Sequence, residues 1–328
     1  MLHRMEPVLL GANLPATFYR GAGRIARFRG AAELPPRPED WVASTTTRFG
    51  SSSAGLSSLP SGVLLRDAIS AAPERWLGPA HVDRYGADPA ILVKLLDAGE
   101  RLPVHVHPDR RFATAHLASP YGKTEAWVIL EAAPDAVVYL GFSRPVSVAE
   151  LTGWVLERRF DELLAATNRV PVRAGDSVLV PAGLPHAIGP GVLLVEVQEA
   201  TDFSVLLEAS RFALDEASAF AGLPRELALS CVDRERWDPS RVSSLRRDRG
   251  SLLFPSAADE FFRAERVGSV LDPGFSVVVV TSGQGALGTL PVAAGDTLVV
   301  PYAAGAVRVS GDLSAIRLRP PAVPAAAS

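Results

Sequence analysis

The sequence predicts an all-β protein built around a duplicated β-barrel with small helical insertions. Two observations carry that expectation. From Ile91 onward, short β-rich runs bounded by Gly, Pro and Asp follow one another without the alternating helices of an α/β chain. An internal echo then repeats one strand motif about 120 residues further on, the mark of a copied unit.

Residues 1 to 88 are irregular, with Pro15, Pro35, Pro36 and Pro38 and a polar stretch from Ser51 to Ser61. They suggest short strands and long loops, with a flap near Ser51 to Ser61. The strands that follow are expected at Ile91 to Leu96, Glu125 to Leu130, Ala136 to Leu140, Ser177 to Val180 and Val192 to Val197. Ser147 with Glu150 forms a capping box, and Leu151, Trp154, Val155 and Leu163 recur at helical spacing, so a helix interrupts the strands there. A weaker helical zone covers about Asp215 to Arg236. Strands return at Ser276 to Thr281, Thr297 to Val300, Ala306 to Val309 and Ala315 to Leu318, and Pro320 to Ser328 reads as a frayed tail.

The echo pairs Gly175-Asp176-Ser177-Val178-Leu179-Val180-Pro181 with Gly295-Asp296-Thr297-Leu298-Val299-Val300-Pro301. In both, a Gly-Asp turn feeds a strand that ends at Pro. The position of His186 in the first copy is Ala306 in the second, so only the first copy is equipped to hold a metal.

Composition bounds the function. The chain has 328 residues, 48% of them hydrophobic and 21% charged, an ordinary balance for a globular protein long enough for about two domains. A net charge of -3 gives no basic field for nucleic acid or an anionic membrane, so neither is an expected partner. A single cysteine, Cys231, rules out an intrachain disulfide and a thiolate metal cage. No signal-peptide layout or spanning apolar run is present, which suggests a cytoplasmic protein, as monomer or homodimer.

Three of the six histidines fall in two compact motifs. In His105-Val106-His107, side chains two apart on a strand face the same way, so both imidazoles can converge on one ion. Glu125 opens the next strand, and His186 follows a corner fixed by Pro181, Gly183 and Pro185. Three imidazoles and a carboxylate suit one divalent metal such as Zn²⁺, Fe²⁺, Mn²⁺, Co²⁺ or Ni²⁺, with Zn²⁺ the first expectation.

These motifs resemble the cupin superfamily, whose first motif gives His-x-His and a later Glu, and whose second has the spacing of Gly175, Pro181, Gly183 and His186. The resemblance implies double-stranded β-helix (jelly-roll) barrels, hence a bicupin. It narrows to class I mannose-6-phosphate isomerases through Leu92 to Ala98, Val104 to Asp109, Gly122-Lys123-Thr124-Glu125-Ala126-Trp127 and Val180 to Ile188, ending in Glu196, Gln198 and Thr201-Asp202. It covers Ile91 to Asp202 strongly. Before that, Glu39-Asp40-Trp41 and Ser44 match a family segment; after it the likeness is architectural. The expected organisation is a metal-binding catalytic cupin over 1–210, with N-terminal strands and a helical insertion near 147–167. A helical connector and degenerate second cupin follow over 211–328.

The resemblance implies that His107, Glu125 and His186 bind the metal, with His105 standing where the family usually has Gln. It places Lys94 and Lys123 as active-site lysines that would stabilise an enediolate or hold phosphate, and Glu196 as an acidic group near the site. The family's catalytic Arg position is Leu206 here, which leaves Arg211, or Arg110 and Arg111, as substitutes. The activity implied is aldose–ketose isomerisation of a hexose phosphate, between mannose 6-phosphate and fructose 6-phosphate through a cis-enediolate. His105 and Leu206 leave open another cupin enzyme, either an isomerase of a different sugar or an Fe²⁺ dioxygenase. A non-catalytic sugar-binding cupin also stays open.

Overall fold

The computed structural model describes residues 4–248 and 253–323. The strands of the N-terminal part are β1 (Val8–Leu10), β2 (Glu39–Val42), β3 (Leu92–Ala98), β4 (His105–Val106), β5 (Glu125–Ala132), β6 (Val137–Phe142), β7 (Thr167–Pro171), β8 (Ser177–Val180), β9 (His186–Ile188), β10 (Val192–Gln198) and β11 (Val205–Leu206). Those that follow are β12 (Arg246–Arg247), β13 (Arg263–Arg266), β14 (Val270–Leu271), β15 (Ser276–Leu287), β16 (Leu290–Ala293), β17 (Thr297–Val300) and β18 (Val307–Arg319). They form three antiparallel sheets. One runs β12-β8-β5-β10-β3-β2, a second β11-β4-β9-β6-β7, and a third β1-β17-β15-β18-β13 with β14 and β16 attached.

The first sheet is covered on both faces, which is why β3 and β10 read as nearly continuous apolar runs. Alternation sends Val93, Leu95, Ala126, Val128, Val195 and Val197 to a core shared with Val277, Val279, Val299, Ile316 and Leu318 of the third sheet. The opposite parity sends Leu96, Trp127, Ile129, Val178 and Leu194 into a core shared with Val138, Leu140, Val170 and Ile188 of the second sheet. That barrel interior is also where Lys94, Glu125 and Glu196 point, by the same two-residue period.

The echo in the sequence is a duplication of turn geometry, bond for bond. Asp176 Oδ2 accepts from Arg173 N at 2.9 Å, and Asp296 Oδ2 accepts from Ala293 N at 2.8 Å. The glycine before each takes positive φ, +94° at Gly175 and +91° at Gly295. The second barrel is filled mainly by Leu271, Val278, Val280, Leu298, Val300 and Val307, and the buried Arg317, paired with Val278 across the sheet, donates to buried Ser276 Oγ at 2.9 Å.

Several elements differ from the sequence reading. Residues before 88 contain short helices at Arg24–Phe28, Leu65–Ala71, Pro73–Leu77 and Pro79–Tyr85, where loops and strands are expected. Pro73 and Pro79 sit at the first helical turn, where the missing N–H costs nothing. Ser147 does cap a helix, accepting from Glu150 N at 3.1 Å, but it ends at Leu156 and a second one spans Phe160–Ala165. Arg158 between them has φ +58°, which no continuous helix tolerates. The expected strands at 306–309 and 315–318 are one strand, β18. The later half of the expected flap is fixed: Ser57 Oγ accepts from Ser44 N and donates to Trp41 O. Of the tail, Ala322 N still donates to Asp259 O at 3.2 Å, and residues 324–328 lie outside the described residues.

Candidate metal centre and its cavity

The three predicted histidines meet. His105 on β4 lies directly opposite His186 on β9, and their ring centroids are 4.1 Å apart. His107, one residue past β4, sits 4.9 Å from the first ring and 5.0 Å from the second. One ligating atom from each lies within 4.8 Å of the others. Each ring is oriented by a backbone carbonyl that accepts from Nδ1: Pro103 O at 2.9 Å for His105, Phe203 O at 3.2 Å for His107 and Leu184 O at 2.8 Å for His186. That leaves every Nε2 as a lone pair facing inward, the arrangement that fixes the tautomer of a metal-binding imidazole. Burial lowers the imidazole pKa of His105 well below its usual range, and that of His107 to about 3.

Glu125 opens β5 in the same interior. Its Oε2 lies 3.0 Å from His107 Nε2 and its Oε1 3.3 Å from His186 Nε2. Burial alone would raise its carboxyl, but Lys123 and His107 outweigh it and hold it well below the ordinary carboxylate range. Lys123 Nζ donates to His107 Nε2 at 2.9 Å and to Glu125 Oε2 at 2.8 Å. The Nε2 of His186 is fully buried and has no hydrogen-bond partner among the described residues. A buried lone pair left without a donor is costly in a protein interior. Three neutral imidazole nitrogens and one carboxylate therefore fit a divalent ion.

A polar deck runs from this centre across the neighbouring strands. Trp127 Nε1 donates to both Glu125 Oε1 and Glu196 Oε2, each at 3.1 Å. Glu196 faces Lys94 in the β10–β3 register, and Lys94 faces Trp41 across β3–β2. The Lys94 ammonium lies 3.3 Å from Asp202, 3.6 Å from Glu196 and 3.8 Å from Glu39, and 4.7 Å above the Trp41 ring. Burial opposes its charge, but Glu39, Asp202 and Glu196 together raise its pKa. Burial raises the carboxyl pKa of both Glu196 and Asp202, with Glu125 adding to the effect at Glu196. Glu39 is fixed by Tyr19 and by Trp41 Nε1 at 2.7 Å.

The deck borders a cavity of about 640 Å³. His105, Lys123, Glu125, Lys94 and Glu196 line it together with the apolar Leu102, Ile188, Leu206 and Leu214 and with Arg48 to Ser51. β4 is held in place by buried Glu208, which accepts from Val104 N and from both terminal nitrogens of Arg101, at 2.6 and 2.8 Å.

The structure thus brings together His105, His107, Glu125, His186, Lys123, Lys94 and Glu196. It does not bring Arg211: that residue is exposed on the short turn Ala209–Phe212 and borders a separate depression with Arg158, Arg159 and Glu162. The chain reaches the surface at Ser210, four residues after β11, so closeness in sequence to Leu206 does not become closeness to the cavity. Arg110 is engaged by Glu199 and Glu260 and stacks on Phe261, and exposed Arg111 does not line the cavity either. Sequence reasoning missed Tyr19 and Arg48. Neither sits in a spaced motif; only the sheet register and the loop path bring them in.

Two barrels in tandem, one with an inward cluster of three histidines and a glutamate, make up a bicupin fold. No family model matches the chain. The resemblance read from the motifs is nevertheless borne out by individual proteins. The chain is 40% identical over 112 residues to the mannose-6-phosphate isomerase ManA of Bacillus subtilis, and 38% identical over 112 residues to the mannose-6-phosphate isomerase of Streptococcus mutans. In each case the match spans 34% of this chain and 34% of the relative, so it covers about a third of their length. Solved structures extend the likeness in fold. The mannose 6-phosphate isomerase of Bacillus subtilis superposes with a TM-score of 0.74 at 19% identity, covering 96% of this chain and 100% of that one. A phosphomannose isomerase variant from Salmonella typhimurium gives 0.72 at 16% identity, covering 97% and 100%. Among the described residues, no helix is long and apolar enough to cross a membrane.

Proposed function

We propose that this chain is a metal-dependent aldose–ketose isomerase that interconverts mannose 6-phosphate and fructose 6-phosphate. The observation that carries the reading is the convergence of three neutral Nε2 atoms beside Glu125, within reach of a buried ammonium and against a cavity of sugar-phosphate size. His105, His107, His186 and Glu125 hold the ion, and their nitrogen-rich set favours Zn²⁺. Bound there, a divalent ion supplies Lewis acidity toward the carbonyl and hydroxyl of the open-chain sugar.

The chain's own groups do the rest. Lys123, already bonded to two of the ligands, offers its ammonium to the negative charge that develops on the substrate oxygen in the cis-enediolate. Glu196 carries the proton between C1 and C2: burial raises its carboxyl pKa toward the working range of a base, and Trp127 Nε1 holds it in place. Lys94 keeps that carboxylate and its neighbours compatible with burial. The apolar group around Leu206 limits water at the reacting carbons.

A coupled assay from mannose 6-phosphate to fructose 6-phosphate, run with metal analysis, tests this. Turnover should vanish with chelator and in His186→Ala, which should also purify with its metal content sharply reduced. Metal-loaded protein that binds the sugar phosphate without turnover would refute the isomerase reading.

A further inference from the structure

The cavity holds two lysines, and the structure commits both. Lys94 is surrounded by Glu39, Glu196 and Asp202, and Lys123 is bonded to Glu125 and His107. A phosphorylated substrate brings up to two negative charges at its phosphate, away from the reacting carbonyl that Lys123 serves, and Lys94 is already balanced by three carboxylates. The position of the family arginine is filled by Leu206, which lines the cavity and offers no charge.

One cation along the cavity is uncommitted. Arg48 lines it, and among the described residues its guanidinium takes part in no hydrogen bond or ion pair. It sits on a closed loop: Arg48 N donates to Ala54 O at 2.7 Å, and Ser51 N donates to Arg48 O at 2.9 Å. Within that loop Ser51 Oγ accepts from Ser53 N at 3.3 Å and Ala54 N at 3.0 Å, which leaves its own proton to donate. Gly50, at φ +77°, has a backbone N–H that is likewise unbonded among the described residues. Gly50 and Ser51 line the same cavity. Phe49 N donates to Asp202 Oδ2 at 3.1 Å, which ties this loop to the far end of the polar deck from the histidines.

We propose that Arg48, with the Gly50 N–H and the Ser51 hydroxyl, forms the phosphate-binding end of the cavity. Arg48 is then the residue that distinguishes a phosphorylated sugar from a free one. The guanidinium offers two parallel N–H groups to two phosphate oxygens, and the loop adds two neutral donors at fixed positions. The proposal rests on reading the cavity as a sugar-phosphate site, but it concerns binding and not turnover.

The test measures affinity of the metal-loaded protein for mannose 6-phosphate, inorganic phosphate and unphosphorylated mannose by titration calorimetry. Arg48→Gln should weaken mannose 6-phosphate and phosphate by about 10- to 100-fold, the effect of losing charge-assisted bonds to an anion, and leave mannose unchanged. Arg48→Lys should recover part of the loss, and Ser51→Ala should cost about 3- to 10-fold. Unchanged sugar-phosphate affinity in Arg48→Gln, or an equal loss for phosphorylated and free sugar, would overturn the assignment, as would wild-type protein that binds no sugar phosphate. Arg48-dependent binding without turnover would uphold it while removing the isomerase reading.

Discussion

Lys94 offers the sharpest test of how the cavity floor is held together. Consider Lys94→Met, which keeps the length of the stem over Trp41 and removes only the charge. The ammonium lies 3.3, 3.6 and 3.8 Å from three carboxylates. At an effective dielectric of about 20, each such pair is worth roughly 4–5 kcal/mol, or about 14 kcal/mol gross. Most of this offsets the desolvation of the four buried groups, and removing one partner of such a cluster leaves a net loss of about 3–5 kcal/mol. The three carboxylates left behind must share their charge without a cation, so their affinity for protons rises further. Urea denaturation of both proteins at pH 7.5 and pH 5 reads the difference. The variant should be less stable by about 3–5 kcal/mol at pH 7.5, shrinking to about 1–2 kcal/mol at pH 5 as Glu196 and Asp202 take up protons. A penalty that is absent at pH 7.5, or the same at both pH values, would refute the picture of a buried cation balancing three acids.

Two further perturbations follow from the site. The imidazole of His107 titrates near 3 when folded, against an ordinary value of about 6.5, so the unfolded chain binds more protons on acidification and stability falls as pH drops. In metal-free protein this histidine should account for about 2 kcal/mol lost between pH 7.5 and pH 5, and His107→Gln should show that much less pH dependence in denaturation with chelator present. Glu208→Gln breaks the buried pair with Arg101 behind β4, and should cost about 3 kcal/mol of stability and about 10-fold in metal affinity by loosening the strand that carries His105, read by denaturation and metal titration.

Strands β3, β5, β8 and β10 were legible because the sheet that carries them is buried on both faces. Their residues are mostly apolar, so Lys94, Glu125 and Glu196 stand out where they interrupt aliphatic runs. The convergence of the histidines was legible for a second reason, since histidines at fixed offsets from Gly and Pro corners carry both chemistry and geometry. The helices before residue 88 were not, because runs of five to seven residues are too short to show a period. Arg48 was hidden in a stretch of Ser and Thr with no spacing signal. Arg211 was over-read for the opposite reason, since nearness along the chain stood in for a direction that only the turn after β11 decides.

Strand β1 has an effect beyond its three residues. Val8 to Leu10 pair with Val299 to Thr297, so β1 supplies an outer strand to a sheet otherwise made from residues 263–319. β17 leaves the ribosome long after β1, and until then β1 must wait without its partner. A fragment beginning at residue 211 would expose the backbone groups of β17 that β1 now covers, an open invitation to other chains. Cutting the gene between the two barrels would thus yield a sticky half and not an independent module.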